Sequence, residues 1–123
     1  MQSLLISGGR VVDPANGLDV VADVLVTDGR IARVGPSLQV PAGTDRIDAA
    51  GQVVCPGLID LHVHFREPGQ TAKETIATGA QAAARGGFTT VVCMPNTQPA
   101  IDSASTVALI QEKARTAAIR GKP

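Results

Sequence analysis

Along the first 55 residues, short aliphatic runs alternate with glycine, proline and charged positions, and from Pro56 onward the runs lengthen and alternate with helix-forming stretches. Residues 4–7, 10–12, 20–27 and 30–34 read as small strands, the last two flanking Asp28-Gly29. An Asp-Gly pair between two β-rich runs predicts a tight hairpin, because both central positions of that turn need positive φ. This part of the chain is therefore expected to be antiparallel. Ile31 and Val34 are three apart, which breaks strict alternation, so a bulge fits there and the register stays open. A polar loop over 36–45 leads to two more short strands, 46–49 and 52–54.

After Pro56-Gly57 the pattern changes. Residues 58–65 form a nearly continuous apolar run interrupted only by Asp60, His62 and His64, as expected of a strand covered on both faces. Thr71-Ala72-Lys73-Glu74 matches a capping box and predicts an Ala-rich helix from there to about Arg85. Gly86-Gly87 ends it, with one glycine in the left-handed conformation. Residues 88–94 read as a second buried strand closed by Pro95-Asn96, and Asp102 or Ser103 caps a second helix with Val107, Ile110, Ala114 and Ala117 on its apolar face. The order β-α-β-α predicts parallel strands joined by a right-handed crossover. Two regions follow, 1–55 and 56–123.

Composition narrows the function classes. With 11 basic against 11 acidic residues, the chain has no charge excess to hold it on nucleic acid or anionic lipid. No run approaches the roughly 18 apolar residues of a membrane span. The start, MQSLLISGG, lacks the basic region and long apolar stretch of a secretory signal, and the chain reads as cytoplasmic. Cys55 and Cys93 have no metal-type spacing and are expected to be free buried thiols. Two Phe and no Trp or Tyr mean that any core is aliphatic. A complete (β/α)8 barrel needs roughly 200 residues, so the 123 present are too few for one.

The chemistry concentrates in the run over 58–65. Strict alternation places Asp60, His62 and His64 on one face and Ile59, Leu61, Val63 and Phe65 on the other. Two imidazoles at i and i+2 near a strand's carboxyl end suit a metal such as zinc, which takes imidazole nitrogens at about 2.0–2.1 Å. Asp60 is then an outer acceptor for an imidazole N–H. A lone His-x-His is a weak signal, and Arg66 immediately after it strengthens the reading, since a guanidinium grips a carboxylate with two parallel bonds. Asn96 also has an ordinary turn-forming explanation. Glu67 and Glu74 read as loop and cap residues, and Gly86-Gly87 lacks the spacing of a phosphate loop.

The stretch PGLIDLHVHFREPGQTAKETIATGAQAAARGGFTTVVCMPNTQPAID resembles the start of the catalytic barrel in dihydroorotases of the amidohydrolase superfamily. Upstream, DGRIARVG and DAAGQVVCPG resemble the amino-terminal part of that superfamily's small β-sandwich, so the likeness spans essentially the whole chain. It implies an α/β fold: the start of a (β/α)8 TIM-type metal-dependent hydrolase barrel preceded by part of a small β-sandwich, both truncated. Residues 1–55 would be the sandwich part and 56–123 the first two β/α units. The implied activity is zinc-dependent interconversion of N-carbamoyl-L-aspartate and dihydroorotate in pyrimidine biosynthesis, with one or two Zn2+ in a complete site. By motif, His62 and His64 correspond to metal ligands, while Arg66 and Asn96 hold the substrate carboxylate. Allantoinases and hydantoinases share the His-x-His, but their substrates lack the ring carboxylate that Arg66 and Asn96 would grip.

The family's later ligands and its proton-shuttling aspartate lie on later strands, and His62 and His64 are the only histidines here. The resemblance therefore implies an amino-terminal portion with little or no turnover alone. Its partner would be the small-molecule substrate, with neither nucleic acid nor membrane; a second copy forming a homodimer over the open edge of 88–94 is a further reading, carried by the incomplete sheet and not by the resemblance. A non-catalytic association with aspartate carbamoyltransferase is the alternative.

Overall fold

The structure, a computed structural model, describes residues 3–117 and the backbone of 120–122. It divides into two compact units, Met1–Pro56 and Gly57–Pro123.

In the first unit β1 (Ser3–Asp13) pairs antiparallel with β2 (Leu18–Thr27), which pairs antiparallel with β3 (Arg30–Gly35). Asp28 and Gly29 have φ of 49° and 73°, the positive pair that the Asp-Gly hairpin requires. The bulge falls in β3, where Val26 faces Ile31 and Leu25 faces Arg33, leaving Ala32 extra. The two runs expected at 4–7 and 10–12 are one strand interrupted by an irregularity between Ile6 and Gly9. Gly8 there has φ 72°, and a Cβ on Gly9 would lie 2.6 Å from Val54 Cγ2, so the backbone approach leaves no room for a side chain. The antiparallel expectation needs one correction: β4 (Asp45–Asp48) and β5 (Val53–Val54) both run parallel to β1. The loop over 36–44 is long enough to return the chain to the same end. Val11, Ala22 and Val24 form the buried cluster, with Ile6, Val26 and Val54 against it.

In the second unit β6 (Leu58–Val63), β7 (Phe88–Cys93) and β8 (Arg120–Lys122) form a parallel sheet in that order, with α1 (Ile76–Arg85) and α2 (Ala104–Ala114) in the connections. The third strand goes beyond the two expected and pairs with β7, so the edge of 88–94 expected to be open to a second copy is already covered. Helix α1 starts later than the Thr71 box implied. Its cap is Thr75, whose hydroxyl accepts from the Thr78 amide at 3.1 Å while Thr78 Oγ1 accepts from the Thr75 amide at 3.0 Å. Glu67 decides the start: its Oε2 accepts from the Ile76 amide at 2.9 Å, fixing where the first turn begins. Gly87 takes the left-handed conformation, φ 83°, and Ser103 caps α2. Phe65, Ile76, Val91, Cys93 and Ile110 make the core, with Val63, Phe88 and Ala117 packed on it. Burying Ile76 and Ile110 almost fully stabilises the unit by about 1.5–3 kcal/mol each.

Strand β6 departs from the doubly covered strand expected. Leu58, Ile59 and Leu61 are 48%, 62% and 71% exposed, because the two helices cover one face of the sheet among the described residues. Cys93 is buried as expected and its thiol pKa is raised by that burial, whereas Cys55 is exposed; both are free. No helix among the described residues is long and apolar enough to cross a membrane.

Candidate functional site

The end of β6 carries a bulge that sorts its polar side chains. Asp60 pairs with Val91 and Val63 with Cys93, so Leu61 and His62 together stand opposite Val92. Paired residues in a sheet share a face, and Val91 and Cys93 are buried against the helices. Asp60 therefore faces the helices, lining a cavity of about 280 Å3 with Val63, Phe65, Gly79 and Phe88. Uninterrupted alternation, which put Asp60 beside the histidines, does not hold here. Its Oδ1 accepts from the His62 backbone amide at 2.9 Å, satisfying the bulge rather than an imidazole N–H.

His62 and His64 lie together at the strand end, where His64 also borders that cavity. Both are exposed, their ring centroids lie 5.0 Å apart with planes tilted by 59°, and their Nε2 atoms approach to 3.1 Å. Two nitrogens bound to one zinc at the tetrahedral angle stand about 3.3 Å apart, given the usual bond length. The pair thus has nearly the separation of two ligands of one ion. Among the described residues no group of three or more His, Cys, Asp or Glu side chains is placed to hold a metal. The donor set is partial, and its chemistry fits.

Asn96, in the loop after β7, joins this pair: its Oδ1 lies 3.0 Å from His64 Nδ1. Nothing in the sequence marks a contact across 32 positions. The loops after β6 and β7 are themselves tied, since the Gln98 amide donates to the Pro68 carbonyl at 3.3 Å. A Cβ on Gly69, whose φ is 102°, would lie 2.5 Å from the Gln98 carbonyl oxygen, so this close approach requires glycine. Arg66 lies in the first of these loops, half-buried, and its guanidinium has no hydrogen-bond partner among the described residues.

Glu67 is the residue whose role exceeds what the sequence suggested. It is buried, accepts from Lys113 Nζ at 2.5 Å on α2 and from the Ile76 amide on α1, and so ties the loop carrying Arg66 to both helices. The Lys113 ammonium lowers its carboxyl pKa, with the Ile76 amide adding to the effect against the cost of burial. An acidic residue nine positions before a helix start is too weak a signal to have revealed this.

A model of the Dihydro-orotase-like family matches residues 51–121. The dihydroorotase of Citrifermentans bemidjiense is 54% identical over 117 residues, covering 95% of this chain and 28% of the relative. That of Streptococcus pneumoniae serotype 4 is 57% identical over 111 residues, covering 90% and 26%. Among solved structures, the L-hydantoinase of Arthrobacter aurescens superposes with TM-score 0.79 at 29% identity, over 93% of this chain and 25% of its own. The D-hydantoinase of Bacillus sp. AR9 gives TM-score 0.77 at 35% identity, over 96% and 26%. These neighbours bear out the α/β fold class, and the chain spans little more than a quarter of the length of the curated relatives it matches. Because the matched span takes in more than half of the chain and the whole strand-end cluster, the chain belongs to the dihydro-orotase-like family.

Proposed function

We propose that this chain supplies the first part of the site of a zinc-dependent cyclic-amide hydrolase, acting on dihydroorotate and N-carbamoyl-L-aspartate in pyrimidine synthesis. The observation that carries the reading is the approach of His62 and His64 Nε2 to 3.1 Å at a strand's carboxyl end, beside Asn96. His62 and His64 would hold the ion through these nitrogens. When bound, it would lower the pKa of water and polarise the ring carbonyl. Arg66 offers parallel N–H donors to the substrate carboxylate, and Asn96 Nδ2, which bonds no described protein group, offers another. Asp60, facing the helices, would act on the site only by holding the His62 backbone in its bulge.

Two donors do not close a catalytic site. The 123 residues alone are therefore expected to bind zinc weakly and to turn nothing over; tight stoichiometric zinc with hydrolysis would overturn that. The decisive experiment grafts this chain onto the remaining three-quarters of a dihydroorotase relative and compares dihydroorotate with hydantoin. We expect dihydroorotate hydrolysis that His62→Ala and His64→Ala abolish with loss of metal, while Arg66→Ala raises KM and leaves metal content intact. A folded graft that hydrolyses hydantoin but not dihydroorotate would favour the hydantoinase reading, which the solved neighbours also support.

A further inference from the structure

The two contacts around His64 fix more than distances. A neutral imidazole carries one proton, so one ring nitrogen donates and the other accepts. Asn96 Oδ1 can only accept, and it lies 3.0 Å from His64 Nδ1, so His64 carries its proton on Nδ1. Its Nε2 then has a bare lone pair. His62 Nε2 lies 3.1 Å from that lone pair, which makes His62 the donor of the pair through a proton on Nε2. The direction of the whole chain, His62 to His64 to Asn96, follows from the orientation of the Asn96 amide, which turns Oδ1 and not Nδ2 to the ring.

We propose that Asn96 holds His64 as its Nδ1–H tautomer, so that the metal-free pair carries opposite tautomers with His64 alone ready to ligate. Asn96 is thereby a positioning residue for the metal as well as a candidate contact for substrate. Its loop is braced for this: the Gln98 amide donates to the Pro68 carbonyl, the Ile101 amide donates to the Pro95 carbonyl at 3.1 Å, and Thr97 Oγ1 donates to the Pro99 carbonyl at 2.8 Å. For His62 to ligate through Nε2, its proton must move to Nδ1, where no described protein group holds it. A ligand whose tautomer is set by an outer acceptor binds metal more tightly, and losing such an acceptor typically costs about 10–100-fold in affinity. The metal half of the inference rests on the function proposed above; the tautomer half does not.

Long-range 1H–15N correlation of the imidazoles tests it, at a pH where both rings are neutral. The chain has two histidines, so His62→Gln assigns both rings. Expected without metal are an Nδ1–H pattern for His64 and an Nε2–H pattern for His62. Adding Zn2+ should convert His62 to Nδ1–H and leave His64 unchanged. Asn96→Leu should remove the preference of His64 and weaken Zn2+ binding by about 10–100-fold, whereas Asn96→Asp, still an acceptor, should preserve both. Asn96 is exposed, so neither change disturbs the core. An Nε2–H pattern for His64 in the metal-free chain, or an Nδ1–H preference that survives Asn96→Leu, overturns the proposal. The expected tautomers without Zn2+ binding would support the tautomer assignment and count against the metal-site reading.

Discussion

The two units use carboxylates alike to hold the main chain and differ in the polar side chains left over. In Met1–Pro56 the interior carboxylates serve the backbone: Asp23 accepts from the Gly8 amide through Oδ1 and the Leu38 amide through Oδ2, both at 2.9 Å, holding the bulge of β1 and the loop after β3. In Gly57–Pro123 two carboxylates do the same work, Asp60 on the bulge and Glu67 on the helix start. That leaves His62, His64, Asn96 and Arg66 bonded to one another or to no described protein group. Each fold-holding carboxylate accepts from at least one main-chain amide, whereas the candidate site consists of side chains that bond no described main-chain group.

The sharpest way to break this contrast is to damage one core. Ile76 is 1% exposed at the start of α1, and Ile76→Ala should cost about 2–5 kcal/mol. Native-state hydrogen exchange should show lost protection in β6, β7 and both helices, with β1 to β3 unchanged. Equal loss in both units would mean one shared core and no comparison to make. Asp23→Ala is the counterpart, leaving two amides without an acceptor at about 1–3 kcal/mol. Protection should fall in β1 and β3, and the imidazole spectrum of His62 and His64 should not move. A shift of those rings would show that the first unit helps set the site.

Much of the fold was legible because its determinants are local. Asp28-Gly29, Gly86-Gly87 and Ser103 each act within a few residues, and each took its expected conformation. The start of α1 is not legible locally, because two Thr-based boxes compete there and the buried Glu67 bonds the amide that follows the second, a tertiary effect. Likewise His62 and His64 are visible as a pair in the sequence. That Asp60 bonds the His62 backbone and not a ring depends on one extra residue in β6, which only the pairing with β7 reveals. The bond of His64 to Asn96 crosses two loops and has no sequence signature.

Acidity sharpens the comparison further. Lys113 holds the Glu67 carboxyl below its ordinary pKa, which is about 4.3. A depressed pKa means that this stabilisation is complete above the unfolded value and is lost as pH falls through the lower, folded one. The second unit should therefore weaken from about pH 4.3 downward. Glu67→Gln keeps an acceptor for the Ile76 amide but removes the charge. It should cost roughly 1 kcal/mol near neutrality, since the Lys113 side chain is 41% exposed. The acid-dependent loss should flatten in exchange profiles of α1, and an unchanged profile would assign the acid sensitivity to another group.

The first unit contains a pair that looks stronger on paper. Arg10 Nε and Nη2 donate to the two carboxylate oxygens of Asp19 at 2.6 and 2.7 Å, a bidentate fork, where Glu67 has a single lysine. The Arg10 bond lowers the Asp19 pKa, so the sign of the pH dependence is the same as for Glu67. The side chains differ in exposure, 59% and 56% for Arg10 and Asp19 against 10% for Glu67. Water and salt screen the exposed fork, and both partners retain good solvation when it opens. Asp19→Asn should accordingly leave the acid unfolding profile of β1 and β2 within replicate error, the smallest effect of the series. If it matched the change produced by Glu67→Gln, bond geometry rather than burial would govern these pairs, and the distinction drawn between the two units would lose its physical basis.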